Sequence, residues 1–162
     1  DAAVDETVAV LETAVDDMNP EWLGFLMERL FAEGALDVSW MPATMKKNRL
    51  GCRMEVVCAL GRTERLLDVI LTESTSTGVR YRTSARRILY RWPDVVDTEY
   101  GPVAAKRIRL PDGTFRISPE FESCRKIAIE LGIPIAAVYE AAARGSRDDA
   151  ESAARDLDPE SV

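Results

Sequence analysis

Histidine is absent from this chain, which removes both the usual near-neutral general base and the commonest transition-metal ligand. Cysteine is scarce. Cys52, Cys58 and Cys124 form an odd set with no C-x-x-C, which excludes a disulfide framework and a preformed zinc knuckle and points to a reducing, cytoplasmic setting. Each lies in an apolar pattern, where a buried, inert thiol is the ordinary reading. No apolar run approaches the ~20 residues that span a bilayer, and no signal peptide precedes the first strand, so no membrane partner is expected. An initiator Met is lacking too, and Asp1 reads as a cut from a longer protein. The segment 51–60 contains no aromatic residue. Sheets that bind RNA stack bases on such residues, and with a pI near 4.8 nucleic acid is not an expected partner.

The charge that is present is unevenly placed. Asp1, Asp5 and Glu6 at one end, and six acidic residues against two arginines in 146–162, account for the whole net charge of −7. Between them the signs segregate. Residues 10–45 hold seven acidic groups and one Arg, whereas 46–91 hold eleven basic groups and four acidic. That asymmetry is compatible with focusing a polyphosphate towards a metal, although a solvated mosaic of charge has the same composition.

Hydrophobic periodicity gives the organisation. Residues 6–15 read as a strand apolar on both faces, and 20–33 as a helix in which Trp22, Leu23, Leu26, Met27, Leu30 and Phe31 recur at core-facing spacing before Gly34. Strands are predicted at 36–45 and 51–60, joined by a basic loop in which Gly51 is placed for a positive φ. A second helix is predicted over 63–73, with Leu66, Leu67, Ile70 and Leu71 on one side, and a fourth strand over 79–91. The order βαββαβ predicts an α+β fold, a ferredoxin-like domain over 6–92. Beyond Trp92-Pro93 a smaller β-hairpin plus helices unit is predicted over 93–145. It holds a hairpin at 97–110 and 114–118 around Pro111-Asp112-Gly113, then helices at 119–131 and 134–144. Residues 1–5 and the acidic tail 146–162 are expected to be disordered.

Three stretches could carry chemistry. Asp16 and Asp17 end the first strand just before a helix start that Asn19 caps and Pro20 opens, so a divalent cation on the pair would sit beside free N–H groups. Hard oxygen ligands without histidine favour Mg²⁺ or Mn²⁺. The plainer alternative is that Asp16, Asp17 and Glu21 only neutralise the helix dipole. Glu12 lies four strand residues, about 13 Å, before Asp16, too far to share one ion. It is equally a candidate catalytic base, a substrate hydrogen-bond acceptor or an ion-pair partner for an Arg on a neighbouring strand. Lys46, Lys47 and Arg49 can surround a triphosphate while Gly51 admits close backbone approach, or they form an ordinary basic hairpin tip. Ser74, Thr75 and the turn that follows can bind an anion, and Arg80 and Arg87 belong to the arginine-rich strand beyond it. Lys106, Glu120 and Glu122 are second-site candidates, with helix packing as their alternative role.

Taken in order, ETAVDDMNPE (12–21), KKNRLG (46–51), ESTSTGVR (73–80), RRILYR (86–91), YGPVAAK (100–106) and PEFESC (119–124) resemble the C-terminal region of the LarC-type nickel-insertion proteins, over about residues 6–145. Asn48, Leu50 and Phe121 stand where that family usually has Gly, Pro and Tyr. The resemblance implies a CTP-dependent cyclometallase that completes the nickel-pincer nucleotide cofactor of lactate racemase. Such an enzyme activates a pyridinium bisthiocarboxylic acid mononucleotide, releases CMP and pyrophosphate, and inserts Ni²⁺. It further implies that this region binds CTP with Mg²⁺ or Mn²⁺, with Asp16 and Asp17 on the metal and Lys46, Lys47, Arg49, Arg80 and Arg87 on the phosphates. It also implies a histidine-rich N-terminal domain outside this chain. A homo-oligomer, trimer or hexamer, is expected as well. The competing readings are a non-catalytic nucleotide-binding regulatory module and an oligomerisation domain without nucleotide affinity.

Overall fold

The computed structural model describes residues 2–155. The chain divides into two compact units, one running from Asp5 to Arg87 and the other formed by the chain on either side of it.

In the first unit the elements are β1 (Ala3–Val15), α1 (Glu21–Ala32), β2 (Ala35–Met45), β3 (Arg49–Ala59), α2 (Thr63–Glu73) and β4 (Arg80–Leu89). The sheet order is β2-β3-β1-β4, so the two strands that begin each βα pair lie at its centre. β1 and β2 both run antiparallel to β3. Ion pairs Glu12–Arg82, Glu6–Arg86 and Asp5–Arg87 descend β1 as they ascend β4, which makes that pair antiparallel as well. Residues Ala9 and Leu11 of β1, with Met54, Val56 and Cys58 of β3, meet Leu26 and Leu30 of α1 and Leu66, Val69 and Ile70 of α2 in one core. Both helices therefore cover the same face of the sheet. The opposite face of β1 is also buried at Val8, Val10 and Glu12, as its unbroken apolar pattern requires.

α1 departs from its expected packing. Leu26 and Leu30 are fully buried, but Trp22 is 52% and Phe31 46% exposed. The apolar stripe is wider than the arc that one sheet face covers. On α2 the same holds for Leu71, which is exposed, while Val69 takes an inward place. Gly34 closes α1 with a φ of 97°. Pro42 is accommodated because β2 is an edge strand.

The second unit holds a sheet of β5 (Arg91–Thr98), β6 (Gly101–Arg109) and β7 (Phe115–Pro119), followed by α3 (Phe121–Leu131) and α4 (Ile135–Arg155). Val103, Cys124, Ala128, Val138 and Ala142 form its core. Trp92 and Pro93 mark no break in the chain: both lie inside β5, an edge strand on which a proline costs no ladder bond. The hairpin expected over 97–110 and 114–118 is β6 and β7, and β5 is an additional strand before it. The turn between β6 and β7 is built as its sequence implies: Asp112 accepts from the backbone N–H and the hydroxyl of Thr114, and Gly113 has a φ of 88°. Gly132 ends α3 in the left-handed conformation.

Two segments expected to be disordered carry structure. β1 already begins at Ala3, and α4 runs to Arg155, because an alanine-rich stretch readily extends a helix that packing has nucleated. Residues 156–162, the rest of the expected tail, lie outside the described residues. Among the described residues no helix is long and apolar enough to cross a membrane.

Candidate nucleotide site

Strand register places the site. The pairing of β1 with β3 ends at Val15 and Cys52, whereas the β2–β3 ladder continues to Met45 and Arg49. The hairpin therefore overhangs the end of β1 by three residue pairs, about 10 Å. Asp16 and Asp17 leave β1 beneath that overhang. Gly51 makes the crossing feasible: a Cβ there would lie 2.4 Å from the Val15 carbonyl oxygen and 2.7 Å from the Met45 sulfur. Its φ is not positive. The left-handed residues of the loop are Lys47 (φ 62°) and Asn48 (φ 55°), in a single 3-10 turn over Lys46–Asn48. Asn tolerates that conformation through its short polar side chain, whereas Lys47 bears its cost unaided.

Around this corner the elements converge. Arg49 Nη1 lies 3.5 Å from Asp16 Oδ2. The Thr75 hydroxyl, from the α2–β4 loop, donates to Asp17 Oδ1 at 2.5 Å. The same loop is tied to β1 by Thr13, whose buried hydroxyl lies 2.5 Å from Ser76 Oγ and donates to the Gly78 carbonyl at 3.0 Å. Asn19 accepts from the Glu21 N–H at 3.1 Å, which supplies the expected cap at the start of α1. Val15, Met18, Leu23, Leu50 and Cys52, together with Asp16, line a mainly apolar hollow of about 210 Å³ beside the corner.

The predicted residues thus fall into three groups. Asp16, Asp17, Arg49 and Thr75 are joined by direct contacts. Lys46 and Lys47 stand at the overhanging hairpin tip, and Arg80 opens β4, two residues before the Arg82 that pairs with Glu12; none of these three cations forms an ion pair among the described residues. Ser74 is committed elsewhere, donating to the Ile70 carbonyl and accepting from the Ser76 N–H. Arg87 is at the other end of the sheet, paired with Asp5. Asp5 lies eleven positions before Asp16 along β1, roughly 35 Å, so Arg87 is no part of this corner.

Glu12 is 7% exposed, and both its oxygens are engaged, one by Arg53 of β3 and the other by Arg82 of β4 at 2.6 Å. Of its three candidate roles the structure displays the ion pair, and Arg82 lies 4.0 Å from Glu55 in the same cluster. Lys106 pairs with Glu120 at 3.4 Å and Glu122 with Arg125 at 3.8 Å, both in the second unit. Sequence reading missed Thr13, and with it the tie that holds Ser76 of the predicted turn against β1. The available signal was a threonine buried in a continuous apolar strand, which needs a partner for its hydroxyl.

No group of three or more histidine, cysteine or carboxylate side chains capable of holding a metal occurs among the described residues. Two adjacent carboxylates suit Mg²⁺ or Mn²⁺ in one circumstance: such ions are commonly held by one or two carboxylates, with substrate phosphates completing the shell.

Comparison with known proteins gives a consistent result. The family model described as nickel insertion protein matches residues 1–139. A pyridinium-3,5-bisthiocarboxylic acid mononucleotide nickel insertion protein from Acetivibrio thermocellus is 46% identical over 138 residues, 85% of this chain and 34% of the relative. A putative nickel insertion protein from Geotalea uraniireducens is 48% identical over 134 residues, with 83% and 34% covered. The chain spans about a third of the length of these relatives. Among solved structures, LarC2 in its apo form, the C-terminal domain of a cyclometallase involved in synthesis of the NPN cofactor of lactate racemase, superposes with a TM-score of 0.85. It is 34% identical, with 89% of this chain and 99% of that one covered. Protein MK0293 from Methanopyrus kandleri gives a TM-score of 0.63 at 26% identity, with 89% and 90% covered. This chain belongs to the nickel insertion protein family.

Proposed function

We propose that this chain is the CTP-binding part of a CTP-dependent nickel insertase, which activates a pyridinium bisthiocarboxylic acid mononucleotide with release of CMP and pyrophosphate. The observation that carries the reading is the corner itself: Asp16 and Asp17 leave β1 beneath the hairpin whose tip holds Lys46 and Lys47, beside an apolar hollow, and neither lysine nor Arg80 at the start of β4 forms an ion pair among the described residues. Uncompensated cations next to carboxylates are poorly balanced alone, and a metal-bound polyphosphate supplies the missing charge of each sign. Asp16 and Asp17 would hold Mg²⁺ or Mn²⁺, which when bound neutralises phosphate charge and polarises the bond to the departing pyrophosphate. Lys46 and Lys47 grip the phosphates, and Arg49 is released from Asp16 to join them. Thr75 fixes the orientation of Asp17. Ni²⁺ is cargo in this scheme. The chain, with no histidine and no three-ligand cluster among its described residues, binds it poorly alone.

Calorimetric titration with CTP, then ATP, GTP and UTP, each with and without Mn²⁺, tests the reading. Metal-dependent binding selective for CTP is expected. Replacing Lys46 and Lys47 together by Ala should weaken it by about tenfold or more. Unchanged affinity in that variant rejects the phosphate-gripping role. CTP-dependent pyrophosphate release by a protein of the relatives' full length, with its mononucleotide, separates an enzyme from a regulatory binding module.

A further inference from the structure

Where α1 passes the end of α2, the first unit carries a groove opposite in character to the cationic corner. Trp22 and Phe25 of α1 are 52% and 53% exposed, and with Thr72, Glu73 and Ser74 they line a hollow of about 300 Å³. Neither ring belongs to the core, to which α1 contributes Leu26 and Leu30. The α2 side of the groove is rich in acceptors. That helix has no basic residue in its last turn, and Ser74 after it is extended (φ −131°, ψ 171°), so no backbone N–H turns back to cap it. The Ser74 hydroxyl donates to the Ile70 carbonyl at 2.6 Å, but the carbonyls of Leu71, Thr72 and Glu73 receive no hydrogen bond among the described residues. Nor does the Glu73 carboxylate. A cation does approach it, Arg29 of α1, whose Nε lies 3.8 Å away, buried and without a hydrogen-bond partner.

Two open rings beside unmatched acceptors restrict what fits. An apolar side chain would cover the rings but would desolvate a carboxylate and free carbonyls without pairing them. An anion would meet the negative end of the helix dipole and the charge of Glu73. A cation is attracted by the ring faces, the carboxylate and the dipole end alike. Among cations, a guanidinium adds a planar face for the rings and a fork of donors for the carboxylate. Free arginine would bring its own carboxylate towards Glu73, whereas an arginine within a polypeptide has none.

We propose that the Trp22–Phe25–Glu73 groove docks an arginine side chain of a partner protein. The probe is the tripeptide acetyl-Gly-Arg-Gly-amide, titrated into the 162-residue chain while the indole N–H resonance of Trp22 is followed by NMR. Saturable binding is expected, and the same peptide with citrulline, a neutral isostere, should not bind. Trp22→Leu and Glu73→Gln should each weaken it by about tenfold, with Phe25 resonances reporting where Trp22 is replaced. Arg29→Gln should strengthen it about threefold by removing the internal competitor for Glu73. Glu130→Gln, an exposed carboxylate of the second unit, should leave it unchanged and so separates the groove from the general pull of an acidic chain. The proposal is overturned if the arginine peptide leaves Trp22 unmoved, if citrulline binds as well, or if Trp22→Leu and Glu73→Gln bind like the parent. It is equally overturned if Trp22→Leu lowers the oligomeric mass of the chain without peptide, which assigns the groove to a second copy.

Discussion

Gly51 and Glu12 are constrained in ways that single positions reveal most directly. A methyl group at 51 has nowhere to go, because the nearest obstacle is the backbone of Val15 and not the end of a flexible side chain. Gly51→Ala should cost roughly 1–3 kcal/mol in urea unfolding, in line with overpacked cores, and should weaken CTP binding by displacing Asp16. Gly61→Ala is the control: nothing lies within 4 Å of a Cβ there and its φ is not positive, so its unfolding midpoint should match or exceed the parent's. Glu12→Gln removes the charge that two arginines share. Their heads are about half exposed and remain solvated, so the loss should be about 1–3 kcal/mol, below that of a fully buried pair. Unchanged CTP affinity in that variant is expected, and a large loss would return Glu12 to the list of substrate-contacting groups. None of this was legible in the sequence beyond the pairing option for Glu12. Periodicity assigns a residue to a face, but which arginine reaches it depends on the register of two further strands.

Elements are held to one another by a few directed contacts. The α2–β4 loop is latched to β1 by Thr13 and to the chain beyond it by Thr75. Thr13→Val removes the bonds that tie β1 to Ser76 Oγ and to the Gly78 carbonyl and should destabilise by about 1 kcal/mol, with faster amide exchange confined to residues 74–78. Unchanged exchange in that loop would deny the latch. Arg65, with two nitrogens on the Glu33 carboxylate at 2.6 and 2.9 Å, clamps α2 to the end of α1, and Arg87 clamps β4 to Asp5 of β1 in the same way. Hydrogen bonding from these arginines holds both carboxyls below their ordinary range. A depressed carboxyl contributes stability above its unfolded pKa and loses it as pH falls through the folded one. Between pH 6 and 3 the melting temperature should therefore fall less in a double Arg65→Gln, Arg87→Gln variant than in the parent. An equal fall would mean that other groups govern acid lability. Helix and strand identities were readable from spacing. The exposure of Trp22 was not, because a stripe does not tell how wide an arc its partner covers.

Taken whole, the molecule is an anion with a local cationic corner. The excess acid belongs to the terminal segments by sequence, so the attraction of Lys46, Lys47 and Arg80 for a nucleotide is a short-range matter that salt screens. Raising NaCl from about 50 to about 500 mM should weaken CTP binding several-fold in the parent and much less in the Lys46 and Lys47 double variant; a salt-independent affinity would place the phosphates elsewhere. Sequence alone determined the α+β class, the βαββαβ order, the acid pair at a strand end and the basic hairpin, since each depends on neighbours a few residues apart. Tertiary structure decided which of these meet. It joined Asp17 to Thr75 across 58 positions, and it separated Arg87 from the phosphate site expected to include it. Strand register does this: one shared ladder fixes every distance along it, and no local pattern encodes where two ladders end.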